Sequence, residues 1–263
     1  MEGFYTAADG AKLFYRVDDF TDPWRKADTV LLLHGFGEST EAWRAWVPYF
    51  MRQYRVVRMD IRGFGQSTPM ALDFNWSIDT LLADMSGLMS HLGVERFYLV
   101  GAKSGGTISM KYTADFPDKV IRLGVTCSSV TGPRDAPWLG HIETHGVPSW
   151  ARQTMPGRFG SALSPEAIEW WIDLMAKTPK TTLQGYLRWV PQVDITEDVK
   201  KIQCPVLIIA PDNNARRKID VTQAWQKTIR NSELMVMPLD GWHIGGAYPD
   251  ICAPAIAAFF QRD

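Results

Sequence analysis

Short apolar runs recur along the chain and constrain its fold more than any other feature. They stand at residues 29–33, 55–59, 96–100, 122–126, 205–210 and 233–237. Runs of this length, rich in Val, Ile and Leu, suit strands that are buried on both faces. Helix-like patterns lie between them, at residues 41–52, 78–92, 105–116, 222–229 and 249–260. This alternation predicts an α/β fold with a doubly wound, mostly parallel sheet. Two alternating segments, 3–6 and 12–17, predict an antiparallel hairpin at the sheet edge.

One segment, residues 131–201, contains no strand-like run. It shows helix-like patterns at 165–177 and 181–190 and holds five of the eleven tryptophans: Trp138, Trp150, Trp170, Trp171 and Trp189. We interpret it as a small helical cap inserted before the last strands. Residues 1–130 and 202–263 then form the core, and the cap is not an independent domain. The alternative is a second small core that only packs on the first.

Composition and charge limit the classes of function. The 263 residues carry 28 Lys+Arg and 29 Asp+Glu, so no net field draws the chain to nucleic acid or an anionic membrane. Three distant cysteines have no metal-ligand spacing, and no nucleotide-binding motif is present. The N-terminus lacks signal-peptide features, and no apolar stretch approaches the roughly 20 residues of a membrane helix. We expect a cytoplasmic protein with a small-molecule substrate, no cofactor, no metal, and no nucleic-acid or membrane partner. The oligomeric state is left open, a homodimer included.

Four motifs follow predicted strands: Leu33-His34-Gly35-Phe36-Gly37, residues 60–67, residues 100–106, and Asp240-Gly241-Trp242-His243. Ligands of open α/β sheets bind where parallel strands end. Together the motifs resemble the α/β-hydrolase superfamily over nearly the whole chain. Trp150-Ala151-Arg152, residues 196–202 and the run from Cys204 look like its capped branch, which contains 3-oxoadipate enol-lactonases and meta-cleavage-product hydrolases. The resemblance implies an enzyme with His243 as general base and backbone N–H groups of Phe36 and the residue after the nucleophile as its oxyanion hole.

The nucleophile elbow departs from the family pattern, which reads Gly-x-nucleophile-x-Gly with serine usually at the centre. One frame runs from Gly101 to Gly105 and places Lys103 at the centre. The other runs from Ala102 to Gly106 and centres Ser104. The strained turn requires glycines, and the strand leads into the first frame without a gap. The sequence therefore favours Lys103 as the central residue, with the N–H of Ser104 in the oxyanion hole.

The position of the family's acid is altered as well. The register places Asn214 there, while Asp212, two residues earlier, reaches the histidine only if the loop bends. Asp212 can equally be an ordinary turn aspartate. A neutral Asn214 suits a site in which no imidazolium has to be stabilised.

A lysine at the elbow changes the chemistry, because lysine attack on an ester leaves an amide that water releases poorly. Three roles stay open. A protonated Lys103 can hold a carboxylate, enolate or oxyanion; a neutral one can act as a base or form a Schiff base; and either can lower the proton affinity of Ser104.

Substrate-side residues come from the cap and the oxyanion turn. Trp150 and Trp189 are expected to wall an apolar pocket, and Arg152, chosen over Arg158 and Arg188 by the family resemblance, to bind a carboxylate. We count His34 among the substrate-binding residues. Its expected role is to support the oxyanion turn rather than to act as a base.

Three functions follow. The leading hypothesis is a hydrolase-fold enzyme acting on a small carbonyl compound by ester or lactone hydrolysis, C–C cleavage, decarboxylation or isomerisation, with His243 moving a proton and Lys103 holding negative charge. The second is an ordinary serine hydrolase with Ser104, Asp212 and His243. The third is a non-catalytic receptor that uses the capped pocket.

Overall fold

The computed structural model describes residues 1–133, 138–212 and 218–262. Within them, eight strands form one sheet: β1 (Glu2–Thr6), β2 (Lys12–Asp18), β3 (Thr29–Leu33), β4 (Arg55–Met59), β5 (Phe97–Ala102), β6 (Val120–Thr126), β7 (Val206–Pro211) and β8 (Ser232–Met237). Their order is β1-β2-β4-β3-β5-β6-β7-β8. β1 and β2 are antiparallel to their neighbours, and all other pairings are parallel. The predicted α/β fold with a doubly wound, mostly parallel sheet is confirmed.

Helices cover both faces of the sheet. They are α1 (Val47–Phe50), α2 (Ile78–His91), α3 (Ser104–Asp115), α4 (Leu139–Phe159), α5 (Pro165–Ala176), α6 (Lys180–Trp189), α7 (Ile219–Gln226), α8 (Ile244–Ala247) and α9 (Pro249–Phe260). The strands β3 and β7, neither of them at a sheet edge, are buried along their full length, as expected for strands covered on both faces. Two hydrophobic clusters lie on opposite sides of the sheet; Leu31 and Leu33 belong to one, and Val30 and Leu32 to the other. Alternate side chains of one strand therefore fill separate cores.

The single helix predicted over 41–52 is wrong. The structure has a 3₁₀ turn (Thr40–Trp43) and then the four-residue helix α1. Pro48 lacks a backbone N–H and is tolerated only in the first turn of a helix, so the chain begins a new helix there.

The segment between β6 and β7 contains α4, α5 and α6, and α4 was not predicted. Gly146, with φ 79° and ψ 173°, kinks α4 and divides it into two parts. Leu183 and Tyr186 of α6 and Met155 of α4 are buried in the cluster that also contains Leu31 and Leu33. The helices of this segment thus pack on the sheet's own core. In the described ranges, no helix is long and apolar enough to cross a membrane.

Candidate active site

A cavity of about 750 Å³ opens at the carboxyl edge of the sheet. Its wall contains residues that follow β3, β5 and β6, together with side chains of α4 and α6. The aromatic members of the wall are Phe36, Trp138, Trp150, Tyr186, Trp189 and Trp242. Lys103 and Arg158 are its cationic members, and no Asp or Glu is among the described lining residues. Such a cavity suits a small, partly apolar molecule that carries negative charge.

The turn between β5 and α3 is centred on Lys103. This residue has φ 53° and ψ −120°, and α3 begins at the next residue, Ser104. The Lys103 N–H donates to Thr126 O at 2.9 Å, and the Lys103 carbonyl accepts from Thr107 N at 3.2 Å. Because a non-glycine residue rarely takes a positive φ, the structure has the strained geometry of a nucleophile elbow at Lys103 and not at Ser104.

Three glycines make this turn sterically feasible. A side chain at Gly105 would collide with the carbonyl oxygens of Leu33 and His34, and one at Gly101 with the backbone of α3. A side chain at Gly35 would collide with the Lys103 side chain. The glycines of the oxyanion turn and of the elbow therefore leave space for the lysine itself.

The Lys103 ammonium forms an ion pair with a residue that the sequence reading missed, Glu38. Lys103 Nζ donates to Glu38 Oε1, and the side chains are 10% and 1% exposed. Glu38 Oε2 accepts from Gly35 N at 3.0 Å. Glu38 follows the His-Gly-Phe-Gly motif directly, but its contact with Lys103 spans 65 residues of chain. In the sequence, Glu38 is recognisable only as an acidic residue beside the oxyanion turn. That position does not distinguish a buried carboxylate from a surface one.

His243 lies on the same carboxylate. Its Nε2 is 2.9 Å from Glu38 Oε1, an ion-pair distance, although the ring nitrogen is not aligned as a hydrogen-bond donor. The ring stacks on Phe159 with centroids 5.0 Å apart and meets Trp171 edge-on at 4.7 Å. The backbone N–H of His243 donates to the backbone carbonyl of Arg158 at 3.0 Å. This hydrogen bond connects the loop after β8 to α4. The structure thus brings Lys103, Glu38 and His243 together, with Lys103 alone of the three lining the cavity.

Burial and charge set the protonation states of this group. Burial lowers the pKa of Lys103 to about 8, although the Glu38 carboxylate favours the charged amine. Burial would raise the pKa of the Glu38 carboxyl, but the charge of Lys103 and the contact with His243 hold it well below its usual range. Burial and the Lys103 charge lower the pKa of His243 to about 4. At neutral pH the site therefore contains an ammonium, a carboxylate and a neutral imidazole.

The remaining predicted residues fall in different places. Phe36, Ser104, Trp150 and Trp189 line the cavity. The hydroxyl of Ser104 is buried with no hydrogen-bond partner among the described residues, and burial raises the pKa of the nearby Tyr186 to about 12. Asn214 lies outside the described residues.

Three predicted site residues require correction. Asp212 is exposed and its Oδ1 accepts from Leu239 N at 3.1 Å, so the loop does not bend it toward His243. Arg152 forms an exposed two-point ion pair with Glu169 at 2.6 and 2.9 Å; Arg158, one helical turn and a half later, lines the cavity instead. His34 is fully buried and does not face substrate: its Nε2 accepts from Ile61 N at 2.9 Å and Nδ1 is 2.8 Å from Gly35 O. That position agrees with the supporting role expected for it.

In the part of the chain that the structure describes, no cluster of three or more His, Cys, Asp or Glu is arranged to hold a metal ion. Cys127 lines the cavity with φ 51°, and burial raises the pKa of its thiol to about 12. A protonated thiol is a poor nucleophile, so Cys127 is not a candidate nucleophile at neutral pH.

Comparisons with known proteins agree with the fold. The chain matches the family model described as alpha/beta hydrolase fold over residues 28–245. A bifunctional esterase/perhydrolase from Acinetobacter calcoaceticus is 25% identical over 263 residues, which cover 90% of this chain and 91% of the relative. A fluoroacetate dehalogenase from Burkholderia sp is 38% identical over 99 residues, which cover 36% of this chain and 33% of the relative. The enol-lactonase structure from Burkholderia xenovorans LB400 has a TM-score of 0.89 at 19% identity, with 99% of this chain and 100% of that chain covered. At that identity the likeness is one of fold.

Proposed function

Because the chain belongs to the α/β-hydrolase family and is an enzyme of that fold, we propose that it converts a small organic carbonyl compound without an acyl-serine intermediate. Lys103 stabilises the negative charge that develops on the carbonyl oxygen or enolate, and His243 moves a proton. Ester or lactone hydrolysis, C–C cleavage, decarboxylation and isomerisation all fit this division of roles. Ester or lactone hydrolysis, the first of these reactions, is the one named for the similar esterase and for the similar enol-lactonase.

The observation that carries the proposal is the ammonium of Lys103 at the elbow, on the wall of the cavity and in contact with buried Glu38. A cation held in a site with little water stabilises a developing oxyanion more strongly than it would in solvent. We expect two further donors to the oxyanion, the backbone N–H groups of Phe36 and Ser104. Both residues line the same cavity.

The charge of Lys103 also controls the basicity of its neighbours. It lowers the pKa values of both Glu38 and His243. When a substrate oxyanion forms beside Nζ, its negative charge offsets that of the ammonium, and the two bases bind a proton more strongly. Proton uptake by His243 is thereby coupled to charge development on the substrate.

The serine-hydrolase alternative receives less support. The positive φ lies at Lys103, the buried Ser104 hydroxyl has no hydrogen-bond partner among the described residues, and the carboxylate described beside His243 belongs to Glu38. Without a base beside its hydroxyl, Ser104 is an ordinary alcohol with little nucleophilicity.

The test is turnover of enol-lactones, aryl esters and β-keto acids by the purified protein and four variants. Lys103→Met and His243→Ala are expected to lower kcat/KM by about 10²–10³-fold, the usual cost of one oxyanion donor or one proton carrier. Ser104→Ala should retain most of the turnover, because its contribution is a backbone N–H. Lys111→Met is the matched control. Lys111 lies in α3, the helix that follows Lys103, and pairs with Asp115 outside the cavity.

A fluorophosphonate, which labels activated hydroxyls, should leave Ser104 unmodified. Loss of turnover in Ser104→Ala, labelling at Ser104, and a silent Lys103→Met would together contradict the proposal.

A further inference from the structure

We propose that Lys103 is a covalent nucleophile, whose neutral amine condenses with the ketone of a 1,3-dicarbonyl substrate to form an imine. The inference rests on the proposed function, because it needs a carbonyl compound in the same cavity. It goes further by making Nζ a reacting atom and by restricting the substrate to ketones that have a second carbonyl group two carbons away.

The backbone at Lys103 is the first argument. A residue other than glycine rarely adopts φ 53°, and such strain persists only where the surroundings enforce it. Here the enforcing contacts are the hydrogen bond to Thr126 and the close approach of Gly101 and Gly105. A cation that only attracts an anion does not require this turn, whereas an atom that has to reach a carbonyl carbon does.

The surroundings of the amine are the second argument. The lysine side chain is 10% exposed and lies against a carboxylate that is 1% exposed. Burial and the charge of Arg158 favour the neutral amine, while Glu38 keeps it from being fully deprotonated. With a pKa of about 8, roughly a tenth of the molecules carry a free amine at pH 7. A surface lysine has on the order of a thousandth in that form.

The chemistry balances without any further reagent. The Lys103 ammonium gives one proton to water, the nitrogen lone pair forms a bond to the ketone carbon, and the C=O electron pair moves to oxygen. The nitrogen then loses a second proton, while the oxygen takes up two protons and leaves as water with the C–O electron pair. The nitrogen lone pair forms the C=N bond, so that an iminium with one N–H remains and the two protons released equal the two taken up. Loss of the Lys103 charge raises the proton affinity of Glu38 and His243, the groups placed to carry these protons.

The iminium intermediate explains why the substrate needs a second carbonyl group. In a β-keto acid, the C–C bond to the carboxylate breaks, its electron pair moves to the iminium nitrogen, and carbon dioxide leaves. The resulting enamine takes a proton at carbon, and water then hydrolyses the imine, which releases the ketone and regenerates Lys103. An ester substrate would instead stop at an amide, which water hydrolyses slowly.

The probe for this inference is 2,4-pentanedione, a 1,3-diketone small enough for the 750 Å³ cavity. A neutral buried amine condenses with it, loses one water and gives a conjugated enaminone that absorbs in the near ultraviolet. We expect one saturable adduct per chain, located at Lys103 by peptide mass spectrometry. Lys111→Met should react as wild type does. Lys103→Met should give no such absorbance. Lys103→Arg keeps the positive charge but cannot form the imine, and it should lose turnover of β-keto acids.

The pH dependence separates a reacting amine from a structural ion pair. The rate of adduct formation should rise with pH through a midpoint near 8 in the wild type. In Glu38→Gln the midpoint should move to lower pH, because Glu38 favours the charged amine. Circular dichroism of each variant establishes that it is folded.

Failure of this inference and failure of the proposed function are distinguishable. If the carbonyl panel is turned over but pentanedione leaves Lys103 unmodified, or if Lys103→Arg keeps substantial turnover, the covalent role is wrong and the charge-holding role stands. If pentanedione modifies Lys103 and no panel compound is converted, the nucleophilic amine stands and the proposed reaction classes are wrong.

Discussion

Two buried ion pairs of this protein follow β4 and β5, the strands on either side of β3, yet they differ in what their charges can do. Arg62, just beyond β4, is 2% exposed and donates to both oxygens of Asp84, at 2.8 and 2.6 Å. Its third nitrogen donates to Asp9, which joins α2 to the N-terminal hairpin. Burial disfavours the guanidinium, but the two carboxylates raise its pKa above the ordinary value. The charge of Arg62 is therefore permanent.

Lys103, just beyond β5, has one carboxylate partner, and its side chain borders the cavity. Burial there outweighs the carboxylate, so the pKa falls to about 8. A pair in which all three guanidinium nitrogens donate to carboxylates stabilises the fold, while an ammonium with one carboxylate partner and access to a cavity has a proton that can leave. Donor count and access, rather than burial alone, separate structural from functional ion pairs in this chain.

The largest expected difference between the two pairs is in stability. Arg62→Met should lower the free energy of unfolding by about 3–5 kcal/mol, because it leaves the Asp84 carboxylate buried without a cation. Lys103→Met should lower the free energy of unfolding by about 1–2 kcal/mol. The Glu38 carboxylate still accepts the hydrogen bond from Gly35 N and still lies beside His243. Urea unfolding followed by circular dichroism measures both.

A second variant tests that explanation. Arg62→Met combined with Asp84→Leu removes both buried charges and should recover most of the loss. Equal losses for Arg62→Met and Lys103→Met would mean that the two pairs do the same structural work.

A smaller effect is expected in the pH dependence of stability. The pKa of His243 is about 4 in the folded protein, below the ordinary 6.5, because of burial and the Lys103 charge. As the pH falls from 6.5 to 4, the unfolded chain gains a proton that the folded chain does not, so stability decreases. The lowered pKa of Glu38 acts in the same direction.

His243→Gln should therefore make this decrease shallower, by at most one proton, or about 1.4 kcal/mol per pH unit. The measurement is urea unfolding at several pH values between 6.5 and 4. His91→Gln, at an exposed histidine, is the control and should follow the wild-type slope. A wild-type slope in His243→Gln would contradict a buried neutral imidazole.

Much of the fold was predictable from local patterns. The strands and the helices at 78–92, 105–116 and 249–260 were found within a few residues, because buried apolar runs and helical periodicity are local properties. The prediction of the elbow frame rested on Gly101 and Gly105, since the frame centred on Lys103 has glycine at both of these tight contacts. The helix over 41–52 failed because a periodic pattern outweighed Pro48 in the prediction.

The partners of the site residues were not predictable in this way. Glu38 becomes a site residue only through a lysine 65 positions away, and nothing around it in sequence signals that contact. Asp212 was considered as a partner of His243 only if its loop bends, but its carboxylate accepts from the backbone of Leu239 in the loop after β8. Register predicts which strand end a residue follows, whereas loop conformation decides what its side chain contacts.

The smallest expected effect concerns two arginines of α4: Arg152, which the sequence analysis preferred, and Arg158. Arg152 and Glu169 are mostly exposed, and exposed pairs of this kind contribute little to stability. Arg152→Ala should therefore change neither the unfolding midpoint nor the KM of an anionic substrate measurably. Arg158, whose guanidinium lies 5.2 Å from the centre of the Trp150 ring on the cavity wall, is the contrasting position. Arg158→Ala should raise KM for β-keto acids more than for neutral esters of similar size, because a cation on the wall favours anions. A KM change in Arg152→Ala that matches the one in Arg158→Ala would show that the exposed pair opens toward the cavity when substrate binds.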